Sequence, residues 1–459
     1  MKPQSSSSDA LTGRVVRFGD ADYAAASAGW NLLFSSAPGV IVYAQATTDV
    51  VNALTWARRH EVPVRVRSGG HCLEGWSSVD DGIVIDVSEM KAVSLDVEAQ
   101  TATVGAGLNQ LEAVTALGRE GVAAPTGTEG TVGLVGATLG GGFGLLTRIF
   151  GMASDNLLAA EVVVPSGDGG AEVIVADEAH HADLLWALRG AGNGNFGVVT
   201  SLTYRVHPLT QTIYITATWP GLDHLPAVFD VWQRSAPATD SRLTSQIEIS
   251  SDAVQVLGVL ASGSEAEALE LLAPILAVGA PEVTMTDASW VDNYTAFQIP
   301  TADEPANWKF LSQFASTPFP REAIDLICTF MSTAPTPQCN YFANAFGGEV
   351  VHSEPTGGSA FAHRNAVFYA EPGAGWGVRD GGAASADPMA STCLTWVADF
   401  HEALAPYVSG AYSNVPNADA ANWRTDYWGT GVERLLAVKA RYDPHHVFSF
   451  EQGLSTPSD

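Results

Sequence analysis

Eight glycines fall among the eighteen residues from Gly127 to Gly144. An ordinary packed helix does not tolerate that density, because each interior glycine costs up to about 1 kcal/mol relative to alanine. In a strand it leaves nothing to pack. The segment reads Gly127-Thr128-Glu129-Gly130-Thr131-Val132-Gly133, then Gly136-Ala137-Thr138-Leu139-Gly140-Gly141-Gly142-Phe143-Gly144. It is expected to bring bare backbone against something flat or anionic. It lacks the G-x-G-x-x-G spacing and the following ribose-binding acid of a dinucleotide-binding βαβ unit.

Two other loops share this character. In Arg67-Ser68-Gly69-Gly70-His71 a predicted strand runs into two glycines and a histidine. Backbone N–H groups in such a turn approach an anion closely. In Gly190-Ala191-Gly192-Asn193-Gly194-Asn195-Phe196-Gly197 the glycines lead into Val198-Val199-Thr200, a strand-like run.

Around these loops the first two hundred residues alternate short strands and helices. Residues 40–43 read as a strand and residues 48–60 as a helix with Val50, Val51, Leu54 and Ala57 on one face. Strands are predicted at 63–66 and 82–87, and a helix at about 109–118. The texture changes near residue 208. Strand-like runs at 212–219 and 254–260 then alternate with amphipathic helices at 265–278 and 394–405, the pattern of an antiparallel sheet covered on one face. From residue 422 the chain returns to a helix at 431–442, closed by Asp443-Pro444.

The chain has 459 residues with 50 acidic and 22 basic side chains, a formal charge of -28. That balance argues against nucleic acid and anionic membranes as partners, since both need Lys and Arg to meet phosphates. Cys72, Cys328, Cys339 and Cys393 have neither CxxC nor zinc-site spacing. The first twenty residues, with serines at 5–8, lack the apolar stretch of a signal peptide, and no run of 18 apolar residues exists. A cytoplasmic protein with free thiols is expected.

The glycine loops, in this order, resemble the berberine-bridge-enzyme-like branch of the vanillyl-alcohol-oxidase flavoproteins. Other pieces extend the resemblance along the chain: residues 38–42, Ala153-Ser154-Asp155-Asn156, the run from Asp183 to Gly190, and Asn195-Phe196-Gly197-Val198-Val199-Thr200. Ala360-Phe361-Ala362-His363-Arg364, Tyr412-Ser413-Asn414 and the run from Arg434 to Pro444 complete it.

The resemblance implies an α+β fold: a two-part FAD-binding domain, residues 1–208 and 412–459, with an inserted substrate domain at 209–411. It implies an FAD-dependent oxidase that moves a hydride from a small organic substrate to flavin and then to O₂. His71 is implied as the covalent attachment point, with Ser68, Gly69 and Gly70 at the pyrophosphate. Arg67, Cys72, Gly75, Gly127, Thr131, Val132 and Gly133 are carried over as further cofactor contacts. So are Thr138, Gly141, Gly142, Gly144, Val199 and Asn414. His363 and Arg364 are expected at the domain junction.

Two positions depart from the family. Many relatives have a cysteine, bonded to the flavin, where this chain has Glu129, so attachment through His71 alone is expected. Sugar- and cannabinoid-oxidising relatives carry a tyrosine base where this chain has Val415. Both features are shared with the 6-hydroxy-D-nicotine oxidase type of relative, and an amine that reacts without a protein base fits them. Tyr341, Tyr412 and Glu129 are the candidate catalytic residues. Tyr341, with Asn344 and Glu349, is predicted on a substrate-domain strand, and Tyr412 is expected one strand step from the base position, facing elsewhere. Competing expectations are an alcohol or sugar oxidase with a displaced base, a flavin oxygenase, and a flavin-carrying binding protein without turnover.

Overall fold

The computed structural model describes residues 10–299, 304–377 and 387–455; the serines at 5–8 lie outside them. A first sheet has the order Arg14–Arg17, Val40–Tyr43, Ile83–Asp86, Val64–Arg67, and its last three strands are parallel. Ile83–Asp86 is buried along its whole length, so it reads as a continuous apolar run rather than an alternating one. Register places Arg67 opposite Asp86, and Arg67 Nε donates to Asp86 Oδ2 at 2.5 Å. That buried pair fixes the strand end from which Ser68-Gly69-Gly70-His71 departs.

The second sheet is antiparallel, in the order Val93–Asp96, Thr101–Gly105, Val198–Arg205, Leu157–Pro165, Ala171–Ala176. The helix Gln110–Gly118 begins with a reciprocal cap: Glu112 N donates to Asn109 Oδ1 at 2.8 Å and Asn109 N to Glu112 Oε2 at 2.9 Å. Buried Gln110, in its first turn, donates to the Glu129 carbonyl at 2.7 Å and accepts from Gly127 N. A helix start thus holds the glycine-rich loop.

The third sheet is antiparallel throughout and larger. Its path runs Glu282–Ser289, Gln211–Pro220, Ala253–Leu260, Leu243–Ile249, Asn340–Ala345, Phe368–Trp376, Asn307–Phe310. Leu225–Ser235, Glu265–Leu276, Arg321–Ser332 and Ala390–Leu404 pack their apolar faces into a core on one side of it. The other side of Leu243–Ile249, Asn340–Ala345 and Phe368–Trp376 faces the glycine loops. The C-terminal segment rejoins the first core, where Tyr427, Trp428, Leu435, Val438 and Phe448 are buried.

Two arginines, one of them buried, tie segments far apart in the chain. Arg148, 1 % exposed, donates to the carbonyls of Asp240 and Pro237 at 3.1 Å, Thr239 at 2.6 Å, and Phe346 at 3.1 Å. Burial lowers its pKa to about 10, against the opposing pull of the Asp240 charge. Arg364 pairs with buried Asp155, Nη1 to Oδ2 at 3.2 Å, and His363 stacks on Phe314 with centroids 4.2 Å apart.

Two local expectations fail. Leu134–Gly140 forms a short helix despite its glycines. Gly140 is required there because Asn414 packs where a Cβ would stand, 2.1 Å from Oδ1. Glu349 opens a short helix, Glu349–His352, rather than lying on a strand, because Gly347 and Gly348 turn the chain at φ of 91° and 54°. Among the described residues no helix is long and apolar enough to cross a membrane.

Candidate active site

A cavity of about 550 Å³ lies between the glycine loops and the inner face of the third sheet. This is within the ordinary range for a cofactor and substrate site. On the loop side, Gly69 and Gly133 meet backbone to backbone. A Cβ on Gly69 would lie 2.3 Å from Gly133 N, and one on Gly133 would lie 2.6 Å from Gly69 N. Ser68 Oγ anchors its loop by donating to the Ala106 carbonyl at 2.8 Å. Gly70, at φ 73°, and Gly136 have nothing within 4 Å of a built Cβ, and both line the cavity. Side chains there would project into the space a flat or anionic group would occupy, so the residues present fit a dinucleotide such as FAD.

His71 lines the cavity and stacks on Trp30, centroids 5.3 Å apart and rings 21° from parallel. Burial lowers its pKa to about 4, which leaves the imidazole neutral and nucleophilic at neutral pH. Cys72 also lines the cavity, and burial raises its thiol pKa, opposing the reactive thiolate.

Arg67, Ser68, Gly69 and Gly127 line the cavity. Val132, Gly133, Gly142, Val199 and Asn414 line it as well. Five expected contacts stand behind the wall. Gly75 packs against Phe34, Gly141 against Met152, and Gly144 against the Thr126 carbonyl. Buried Thr138 bonds the Tyr204 hydroxyl at 2.6 Å, and Thr131 Oγ1 donates to Glu129 Oε1 at 3.0 Å. These residues shape the loops instead of touching the cavity.

The candidate catalytic residues separate. Tyr341 is fully buried on the helix-covered side, stacked on Phe400 at 5.3 Å, because strand alternation turns Asn340 and Phe342 to the cavity instead. Glu129 is on the cavity wall, held by Thr131. Tyr412 is also there, contrary to the expectation that it faces elsewhere. It is not on a strand; the turn at Ser413 directs its ring inward. Its hydroxyl accepts from Gly142 N at 2.8 Å and Asn414 Nδ2 at 2.7 Å, and burial raises its pKa.

The sheet supplies acids that motif reading missed. Glu248, Phe342 and Glu371 are register partners across three adjacent strands and all line the cavity. Tyr369, two residues before Glu371, shares its face and donates its hydroxyl to Glu371 Oε2. Burial pushes the Glu371 pKa up to about 7; the Tyr369 bond opposes that shift and Glu248 repulsion adds to it. The signal was in the sequence: a glutamate interrupts the otherwise apolar Phe368-Tyr369-Ala370-Glu371.

A family model described as an FAD binding domain matches residues 38–169, and one described as berberine and berberine like matches 411–455. Two Bacillus subtilis proteins, each called an uncharacterized FAD-linked oxidoreductase, align along nearly the whole chain. YgaK is 36% identical, covering 97% of both chains. YvdP is 38% identical, covering 97% of this chain and 98% of its own. Among solved structures, Physcomitrella patens BBE-like 1 superposes with a TM-score of 0.88 at 26% identity, covering 97% of each chain. An aclacinomycin oxidoreductase does so with a TM-score of 0.86 at 26% identity, covering 97% of this chain and 99% of its own. The fold and cavity are those of an FAD-linked oxidoreductase, an enzyme that acts on a small organic substrate with O₂. The chain belongs to the berberine-bridge-enzyme-like family.

Proposed function

We propose an oxidase with FAD joined through His71 alone and Glu371 as the base, acting on an amine or an alcohol-bearing intermediate of secondary metabolism. FAD would be held by the His71 loop and the 127–144 loop and would supply the hydride acceptor, with its two electrons going on to O₂ to give H₂O₂. The observation that carries the reading is the Tyr369–Glu371 pair facing the cavity across from the His71 loop. A carboxyl with a pKa near 7 is suited to remove an O–H or N–H proton at neutral pH. Tyr369 orients it, and Tyr412, tied to Gly142 and Asn414, shapes the reacting end.

Glu371 removes the main motive for a base-free reaction. The kinship with 6-hydroxy-D-nicotine oxidase then rests on Glu129 and Val415 alone. Residues 1–208 and 412–459 are proposed as the FAD-binding domain and 209–411 as the substrate domain. A cytoplasmic location is supported by four free cysteines.

Acid-precipitated protein should stay yellow, with flavin on the peptide containing His71. His71→Ala should bind FAD only reversibly. Flavin released by acid from the wild type, or a thioether at Cys72, would refute single histidyl attachment. Val415→Tyr tests the older base position. Val415 lines the cavity and its carbonyl accepts from Ser312 Oγ at 2.7 Å. With Glu371 in place, the substitution should give little change in the rate of flavin bleaching; a large gain would return the base to that position.

A further inference from the structure

Beyond its repulsion of Glu371, Glu248 takes no part in the proton transfer described above, yet it stands on the cavity wall. Burial raises its pKa, and its hydrogen bond, from Asn340 Nδ2, is long at 3.4 Å. Among the described residues it makes no ion pair. The lysine nearest in sequence to this part of the wall, Lys309, is committed to Glu74. A carboxylate withdrawn from water without a cation is costly, so a ligand that brings the missing charge would relieve that cost.

The surroundings favour a cation over a polyol. Phe342 lies between Glu248 and Glu371 in the register, and Tyr369, on the Glu371 strand, and Trp308 and Phe310, on the strand beyond it, line the same cavity. Aromatic faces beside a carboxylate suit an ammonium group, which gains from both. Asn340 carries a further buried oxygen, Oδ1, with no hydrogen-bond partner among the described residues. The protein's charge of -28 raises the local concentration of cations around it.

We propose that Glu248 anchors a cationic nitrogen of the substrate, remote from the carbon that is oxidised near Glu371. This builds on the proposed active site and narrows its substrate class to a protonated amine. Two strand spacings separate the anchor from the base, so the nitrogen stands ~10 Å from the reacting end.

The test uses the FAD-loaded enzyme and reads ligand binding from the shift of the flavin absorbance band, with no turnover required. Benzyltrimethylammonium is the cationic probe, neopentylbenzene its neutral counterpart of matching shape, and chitobiose the polyol. The wild type should bind the cation more tightly than the neutral compound. Glu248→Gln should weaken the cation at least about tenfold and leave the neutral compound unchanged. Glu248→Asp, which keeps the charge, should retain the preference and guards against a variant that fails to load FAD. Equal cation affinity in wild type and Glu248→Gln would overturn the proposal. So would a loss seen only in Glu371→Gln, or chitobiose binding more tightly than the cation and depending on Glu248. Failure of the Glu371 reading would show separately, as a Glu371→Gln enzyme that reduces its flavin at the normal rate.

Discussion

Glu371→Gln is expected to slow flavin reduction by substrate by roughly 10²–10⁴-fold, the usual contribution of a positioned general base. The amide keeps the shape and the contact with Tyr369 but cannot take a proton. Substrate affinity should change far less than the rate. In the wild type the base is the carboxylate, so the reduction rate should rise with pH through the Glu371 pKa of about 7 and level off above it. The variant should lose that inflection. Tyr369→Phe supplies the companion measurement. The Tyr369 hydroxyl favours the charged carboxylate, so its removal should move the inflection to higher pH while the plateau rate stays closer to wild type. Single-turnover bleaching across pH decides the matter. A Glu371→Gln enzyme with a normal rate and an unchanged profile would return the reaction to a substrate that needs no base.

Gly133→Val is expected to abolish FAD retention rather than to lower turnover in a loaded enzyme. A Cβ at this position would stand 2.6 Å from Gly69 N and 2.9 Å from Ser68 Oγ. The neighbours are mainly backbone, in loops already fixed by Ser68 to Ala106 and by Gln110 to Glu129, so neither loop yields cheaply. The valine must part the His71 loop from the 127–133 loop, and the surface offered to the cofactor goes with it. Gly142→Val should act similarly. Its φ of 73° disfavours a branched residue, and a Cβ would press on Ala153 at 2.8 Å. It would also disturb the Gly142 N–H bond to Tyr412. Flavin absorbance of the purified variants, beside thermal melting of the apoproteins, is the measurement. Normal flavin content in Gly133→Val would show that the two loops can separate without consequence.

Most of the architecture was readable in the chain. Apolar periodicity located the helices Thr47–His60, Gln110–Gly118 and Val432–Tyr442 closely, because each buries one face and carries local end signals. The glycine loops pointed to a cavity lined by bare backbone, since a packed helix or strand does not tolerate eight glycines in eighteen residues. What the glycines do individually was not readable. Gly70 opens onto the cavity, Gly144 only lets two backbone segments touch, and Gly140 makes room for Asn414. All three look alike in sequence because the reason for each is an atom from a distant segment.

The catalytic residues divide the same way. The oxidoreductase class came from a resemblance carried by motifs spread along the whole chain, while the His71 loop and the absence of a tyrosine at position 415 are local. The tertiary structure alone decided that Tyr341 faces the helices while Asn340 and Phe342 face the cavity. It alone joined Glu248, Phe342 and Glu371 into one row. A strand's alternation shows that two faces exist, but which one becomes the core depends on what packs against the sheet. Register depends on hydrogen bonds between strands far apart in sequence, so the glutamate that interrupts the run from Phe368 marks an unusual strand position, while its place on the cavity wall beside Phe342 and Glu248 does not follow from the run itself.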